Sequence, residues 1–132
     1  EIKNIQENIR KKNILIGKFT ELENLHLTLK FLGEISDELV EKVKERLREI
    51  KIPEFEAGLG EVGIFSQKFI RIIWVKLEGE RIWELQREID EKLKDLFPIE
   101  ARFMSHITIA RVKKVQKKKN TIEYVKNIKP KT

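Results

Sequence analysis

The 132 residues contain no cysteine. That excludes a disulfide framework and any reaction that needs a thiolate. No apolar run approaches the ~18 residues of a membrane-spanning helix, so no membrane partner is expected. The opening residues, Glu1-Ile2-Lys3-Asn4, are polar and periodic and lack the apolar core of a secretory leader. Cytoplasm is therefore the expected compartment. Acids are scarce at one end of the chain. From Arg102 onward Glu123 is the only one, set among ten Lys and Arg, so the formal net charge of +6 resides in that last stretch. A basic end of this kind suits an anionic partner such as RNA or a phosphate ester, or else forms a solvated tail. What remains is 40% hydrophobic and 38% charged, the balance of a globular chain long enough for one domain with a real core.

Histidine is the other scarcity. The chain has two, and both stand in the same phrase: His26-Leu27-Thr28-Leu29 and His106-Ile107-Thr108-Ile109. Only five residues are threonine, so a Thr two places after each His is a pattern that chance rarely supplies. The period of two is strand geometry. On a strand, His26 and Thr28 share one face while Leu27 and Leu29 take the other, and the second copy behaves alike.

The elements around these phrases follow from periodicity. Ile2, Ile5 and Ile9 mark one face of a helix. Lys18 to Glu21 begins a strand, and Leu25 to Leu32 reads as a strand ended by Gly33. Ser36 is a good N-cap, with Asp37 and Glu38 in the first turn, for an amphipathic helix over 37–50 stopped by Pro53. Phe55 to Gly63 is a Gly-punctuated strand or pair of strands. Phe69 to Leu77 is strongly β, with Trp74 on the face opposite Arg71, Ile73 and Val75 and read as core. Ile82, Leu85, Ile89, Leu93 and Leu96 mark a second amphipathic helix. Phe103 to Val112 is the second His strand, Lys113 to Lys119 a basic loop, and Asn120-Thr121-Ile122-Glu123 resembles a capping box for a last short helix. The class is α+β, roughly two-fold repetitive, with one His strand and one long helix in each half.

Two imidazoles on opposing walls of a shared cleft can act as general base and general acid, because neutral and charged forms coexist near neutral pH. Two Thr hydroxyls can donate to non-bridging phosphate oxygens. Such a set suits in-line attack at phosphorus with no cofactor and no metal. Two histidines without cysteine or a carboxylate at ligand spacing are a poor zinc set.

At these residues a family resemblance emerges. Asn24-Leu25-His26-Leu27-Thr28-Leu29-Lys30-Phe31-Leu32-Gly33 is similar to the first signature of the 2H phosphoesterase superfamily, in its branch of RNA 2′,3′-cyclic phosphodiesterases, also called RNA 2′,5′-ligases. Ser105-His106-Ile107-Thr108-Ile109-Ala110-Arg111-Val112 is similar to the second. Gly63-Ile64-Phe65 and Arg71-Ile72-Ile73-Trp74-Val75 resemble the intervening segment. The resemblance implies a bilobal α+β fold with a pseudo-two-fold duplication, antiparallel sheets around a central cleft and helices outside. It implies hydrolysis of a 2′,3′-cyclic phosphate at an RNA end to a 2′-phosphate, and in reverse an ATP-independent 2′,5′ joining. His26 would protonate the leaving 3′-oxygen, His106 would activate water, and Thr28 and Thr108 would hold the phosphate. RNA ending in a cyclic phosphate, tRNA fragments included, is the partner implied, acting on a monomer. Residues 1–132 would form one such domain without the usual first strand and last strands, since the chain starts in the first helix and stops after the last. Two alternatives stay open: a 2H hydrolase of small cyclic nucleotides or 2′,5′-oligoadenylate, and a non-catalytic RNA-binding module.

Three further residues are candidates for substrate contact. Arg111 lies five after His106 and on a regular strand faces away, although a bend would bring it to phosphate. Phe65 is placed to stack on a base or to join the core. Lys30 shares the face of His26, as a phosphate contact or as a solvated cation. Lys113, Lys114 and Lys117 to Lys119 would hold RNA loosely and in a salt-dependent way.

Overall fold

The strand that begins with the second histidine is central to the sheet. In the computed structural model, which describes residues 1–65 and 69–128, that strand is β4 (His106–Val115), and it is flanked by β1 (Leu15–Phe19) and β3 (Ile72–Glu78). With β2 (Gly58–Ile64) outside β3, the order is β1-β4-β3-β2, antiparallel throughout. Ile107 and Ile109 of β4 and Ile73 and Val75 of β3 point to one face and are buried there, as the period of two requires. α1 (Ile2–Lys12) and α4 (Lys118–Lys126) cover that face with Ile5, Ile9 and Val125. Asn13, in the left-handed region at φ 54°, ends α1; a short polar side chain tolerates that backbone better than most residues. Residues 1–27, 58–78 and 106–132 belong to this unit.

A second unit comprises residues 28–57 and 79–105. It is built on α2 (Asp37–Arg48) and α3 (Glu80–Leu93), whose stripes meet at Val43, Ile89 and Leu93 among Leu29, Leu32, Ile35 and Phe97. Ser36 caps α2 as expected, its Oγ accepting from the Leu39 N–H at 3.2 Å. Arg46 grips both carboxylate oxygens of Asp95, at 2.6 and 3.0 Å, and the Lys92 carbonyl at 2.9 Å. In the same unit the Lys30 ammonium forms a buried ion pair with Asp90 and donates to the Pro98 carbonyl at 2.7 Å. Asp90 also accepts from Gln86 Nε2 at 3.0 Å and the Glu100 N–H at 3.1 Å. Burial pushes the Asp90 carboxyl up, but these hydrogen bonds and the Lys30 charge outweigh it and hold the group below its ordinary 3.8.

The α+β class stands, and both amphipathic helices fall where the stripes place them. Three finer expectations are corrected. Among the described residues there is one sheet, and the second unit contributes helices and loops rather than a matching half-sheet. Leu25 to Leu32 is not a strand. It follows a 3₁₀ turn at Leu22–Asn24 and makes a single antiparallel bridge, Leu27 to Ile107. The reason is hydrophobic: Leu25 and Leu27 join the first core while Leu29 and Leu32 join the second, so the segment leaves the sheet. Finally, α4 starts at Lys118 rather than at a box beginning with Asn120. Thr121 Oγ donates back to the Lys117 carbonyl at 2.9 Å instead.

Candidate active site

The face of the sheet opposite the core carries the polar chemistry, and a β-bulge sets its layout. Trp74 pairs with Thr108, yet Ile73 pairs with Ala110, so Ile109 is an extra residue in β4. Ile109 and Ala110 are both fully buried as a result. Beyond the extra residue the alternation is inverted. His106 and Thr108 face outward before it, and Arg111 faces outward after it. This is the bend that a regular strand denies Arg111.

The bulge is clasped. The Ile109 carbonyl accepts from the Thr20 N–H at 3.0 Å and from Gln6 Nε2 at 2.9 Å. The same Gln6 amide donates to the Thr20 carbonyl at 2.8 Å, and Thr20 Oγ donates to the Thr108 carbonyl at 3.0 Å. Gln6 is 5% exposed, a buried amide inside an otherwise apolar helix face. β1 also runs very close to β4 here. A Cβ on Gly17 would collide with the Arg111 carbonyl and lie 2.9 Å from Val112 Cα, so glycine is required by space.

A cleft of about 260 Å³ opens over this clasp, lined by His26, Thr108, Arg111, Lys18, Thr20, Asn24 and Glu21. The Leu27–Ile107 bridge sets His26 beside Thr108 in register. His26 Nδ1 lies 2.7 Å from the Asn24 carbonyl. A carbonyl only accepts, so Nδ1 carries a hydrogen and Nε2 is the atom left to exchange a proton. Lys18 and Arg111 are cross-strand partners, which puts two cations along one wall, with Glu21 3.8 Å from Lys18.

His106 stands at the start of β4, opposite Lys76 on β3. Its ring meets Phe65 edge-on at 5.0 Å, with Trp74 6.4 Å away and 5.6 Å from Phe65. Phe65 remains half exposed, whereas Trp74 is 8% exposed. Trp74 lies over Gly63, where a Cβ would sit 2.6 Å from two ring carbons. Its Nε1–H is buried without a hydrogen-bond partner among the described residues.

The geometry thus groups His26, Thr108 and Arg111 in one cleft, with His106 and Phe65 two residues along the same strand face. Thr28 is exposed where the chain leaves the first unit. Lys30 requires a correction: its ammonium is engaged by Asp90, not offered to phosphate, because no ladder extends past Leu27 to keep it on the face of His26. Trp74 is buried as expected. The sequence reading passed over Lys18, Thr20, Asn24 and Gln6. A lone Gln between Ile5 and Ile9 was the available signal for Gln6, and a place in the first signature that for Asn24; nothing local marks Lys18 or Thr20.

Comparison with known proteins identifies the family and the fold. The family model described as LigT like Phosphoesterase matches residues 1–74. An RNA 2′,3′-cyclic phosphodiesterase of Methanocaldococcus jannaschii is 38% identical over 132 residues, covering 98% of this chain and 73% of that protein. The protein of the same name from Archaeoglobus fulgidus is 41% identical over 101 residues, covering 74% of this chain and 57% of that one. The chain therefore spans between about half and three-quarters of these relatives' length. Among solved structures, TT0787 of Thermus thermophilus superposes with a TM-score of 0.69 at 27% identity, covering 84% of this chain and 66% of that one. E. coli LigT complexed with phosphate gives 0.61 at 27% identity, covering 83% and 63%.

Proposed function

The chain belongs to the LigT-like phosphoesterases, and on that premise we propose that it hydrolyses the 2′,3′-cyclic phosphate of an RNA end to a 2′-phosphate. The observation that carries this reading is the cleft where His26, Thr108 and Arg111 converge beside a cationic wall. Arg111 and the Thr108 hydroxyl offer charge-assisted and neutral donors to the non-bridging oxygens, where negative charge grows as phosphorus becomes five-coordinate. The motif assigns Thr28 the same role as Thr108. His106 takes a proton from water, whose oxygen bonds to phosphorus. The bond from phosphorus to O3′ breaks, and protonated His26 gives its Nε2 proton to that oxygen. The Asn24 carbonyl supports this role by keeping Nδ1 protonated, which aims Nε2 at the leaving group. Phe65, half exposed and edge-on to His106, stacks on the terminal base.

No step in this scheme needs a metal, and with a 5′-hydroxyl attacking phosphorus in place of water the same displacement of O3′ joins the cyclic end through a 2′,5′ linkage. The test is hydrolysis of an oligoribonucleotide ending in a 2′,3′-cyclic phosphate, with and without EDTA. Activity is expected to survive chelation and to follow a bell-shaped pH profile. It should fall by at least about a hundredfold in His26→Ala and in His106→Ala, the usual worth of a general acid or base. Undiminished activity in either variant, or loss on chelation, would overturn the mechanism.

A further inference from the structure

β4 does not end at the cleft. Beyond Arg111 it continues to Lys113, Lys114 and Val115, where a second pocket of about 230 Å³ is bordered by Phe69, Arg71, Lys113, Lys114 and Lys118. Four of its seven lining residues are cations, the others being Phe69, Ile70 and Val115, and no carboxylate lines the pocket. Among the described residues, Arg71, Lys113 and Lys114 are in no ion pair, whereas Lys30, Arg46 and Lys92 of the second unit each hold an acid. The start of α4 adds to the field. Lys117 is its N-cap with no side-chain cap, and Lys118 and Lys119 occupy the first turn. A helix N-terminus is already positive, so lysines there repel it. The chain does the opposite at α2, where Ser36, Asp37 and Glu38 satisfy the same end. An anion resting in the pocket would relieve both repulsions. Phe69, 67% exposed at the rim, offers an aromatic face beside the charges.

We infer that this pocket is a second RNA subsite, which takes a backbone phosphate several nucleotides upstream of the cyclic end. The inference rests on the hydrolase reading above. β4 provides the path. Thr108 and Lys113 are separated by at most roughly 17 Å of strand at about 3.3 Å per residue, less for the bulge at Ile109, a span covered by about four or five stacked nucleotides at about 3.4 Å each. With the cyclic phosphate at Thr108 and Arg111, the 5′ part of the strand runs along β4 to Arg71, Lys113 and Lys114, and a base stacks on Phe69. The enzyme then prefers a polynucleotide end over a mononucleotide, although both carry the same reacting group.

The test compares a 2′,3′-cyclic mononucleotide with an oligoribonucleotide of about ten residues that carries the same cyclic end. The variant Arg71→Gln/Lys113→Gln/Lys114→Gln alters only exposed side chains. Its KM for the oligonucleotide should rise about tenfold, with kcat and the mononucleotide kinetics unchanged, and its salt dependence should flatten by about 0.7 per lost phosphate contact. Fluorescence anisotropy with the same oligonucleotide separates the two readings. Binding that weakens in the variant while the parent hydrolyses neither substrate would refute the activity and leave the subsite standing. Equal affinity, KM and salt slope in parent and variant would overturn the subsite, whatever the activity.

Discussion

Replacing Lys30 with Met separates a structural lysine from a substrate-binding one. Lys30 and Asp90 are each 6% exposed at the side chain. Asp90 would keep Gln86 and the Glu100 N–H but lose the countercharge of Lys30. Removing one partner of a buried pair costs about 3–5 kcal/mol, a large part of the about 5–15 kcal/mol that stabilises a typical domain. The measurement is urea unfolding at pH 7, with amide exchange to locate the loss in residues 28–57 and 79–105. Adding Asp90→Asn should recover most of it, because the uncompensated charge disappears while an oxygen still accepts. The pH dependence has a definite sign. Asp90 is held below 3.8 in the folded chain, so its contribution is complete above that pH and is lost as pH falls through the folded value. In Lys30→Met, burial acts on the carboxyl without the opposing ammonium. The gap between the two proteins should therefore narrow as pH drops through the carboxylate range. Unchanged unfolding at pH 7 together with a raised KM for the cyclic-ended RNA would refute the reasoning and return Lys30 to the substrate.

Other substitutions probe the cleft. Gln6→Leu removes two hydrogen bonds and should cost about 1–3 kcal/mol; it should also lower kcat by relaxing the bulge that aims Arg111, and a stability loss without any change in kcat would refute that link. Gly17→Ala places a Cβ against the Arg111 carbonyl, so circular dichroism melts should show clear destabilisation. Gly63→Ala drives Trp74 off its seat and should disturb the ring contacts of His106, seen as lost activity and altered tryptophan fluorescence. Arg111→Lys keeps the charge but loses the planar fork, and should lower kcat/KM by about tenfold or more with little effect on stability.

The two His-x-Thr phrases, the class of the fold and both amphipathic helices were legible in the linear chain, because each is a local pattern: period two for Ile107 and Ile109, period 3.6 for Ile82 through Leu96, and Ser36 ahead of two acids at a helix start. Periodicity assumes that the ladder continues, and there it misled. It set Lys30 on the face of His26, whereas the chain leaves the sheet after Leu27 and Lys30 turns to Asp90, 60 residues away in sequence. It set Arg111 on the wrong face, whereas one extra residue at Ile109 inverts the alternation. The bulge has no local signature, and the lone Gln between Ile5 and Ile9 does not reveal its partner Ile109, 103 residues away. The candidate reacting groups are thus written in short-range pattern, while the direction in which Arg111 and Lys30 point depends on strand pairing and buried partners that form only when distant segments pack.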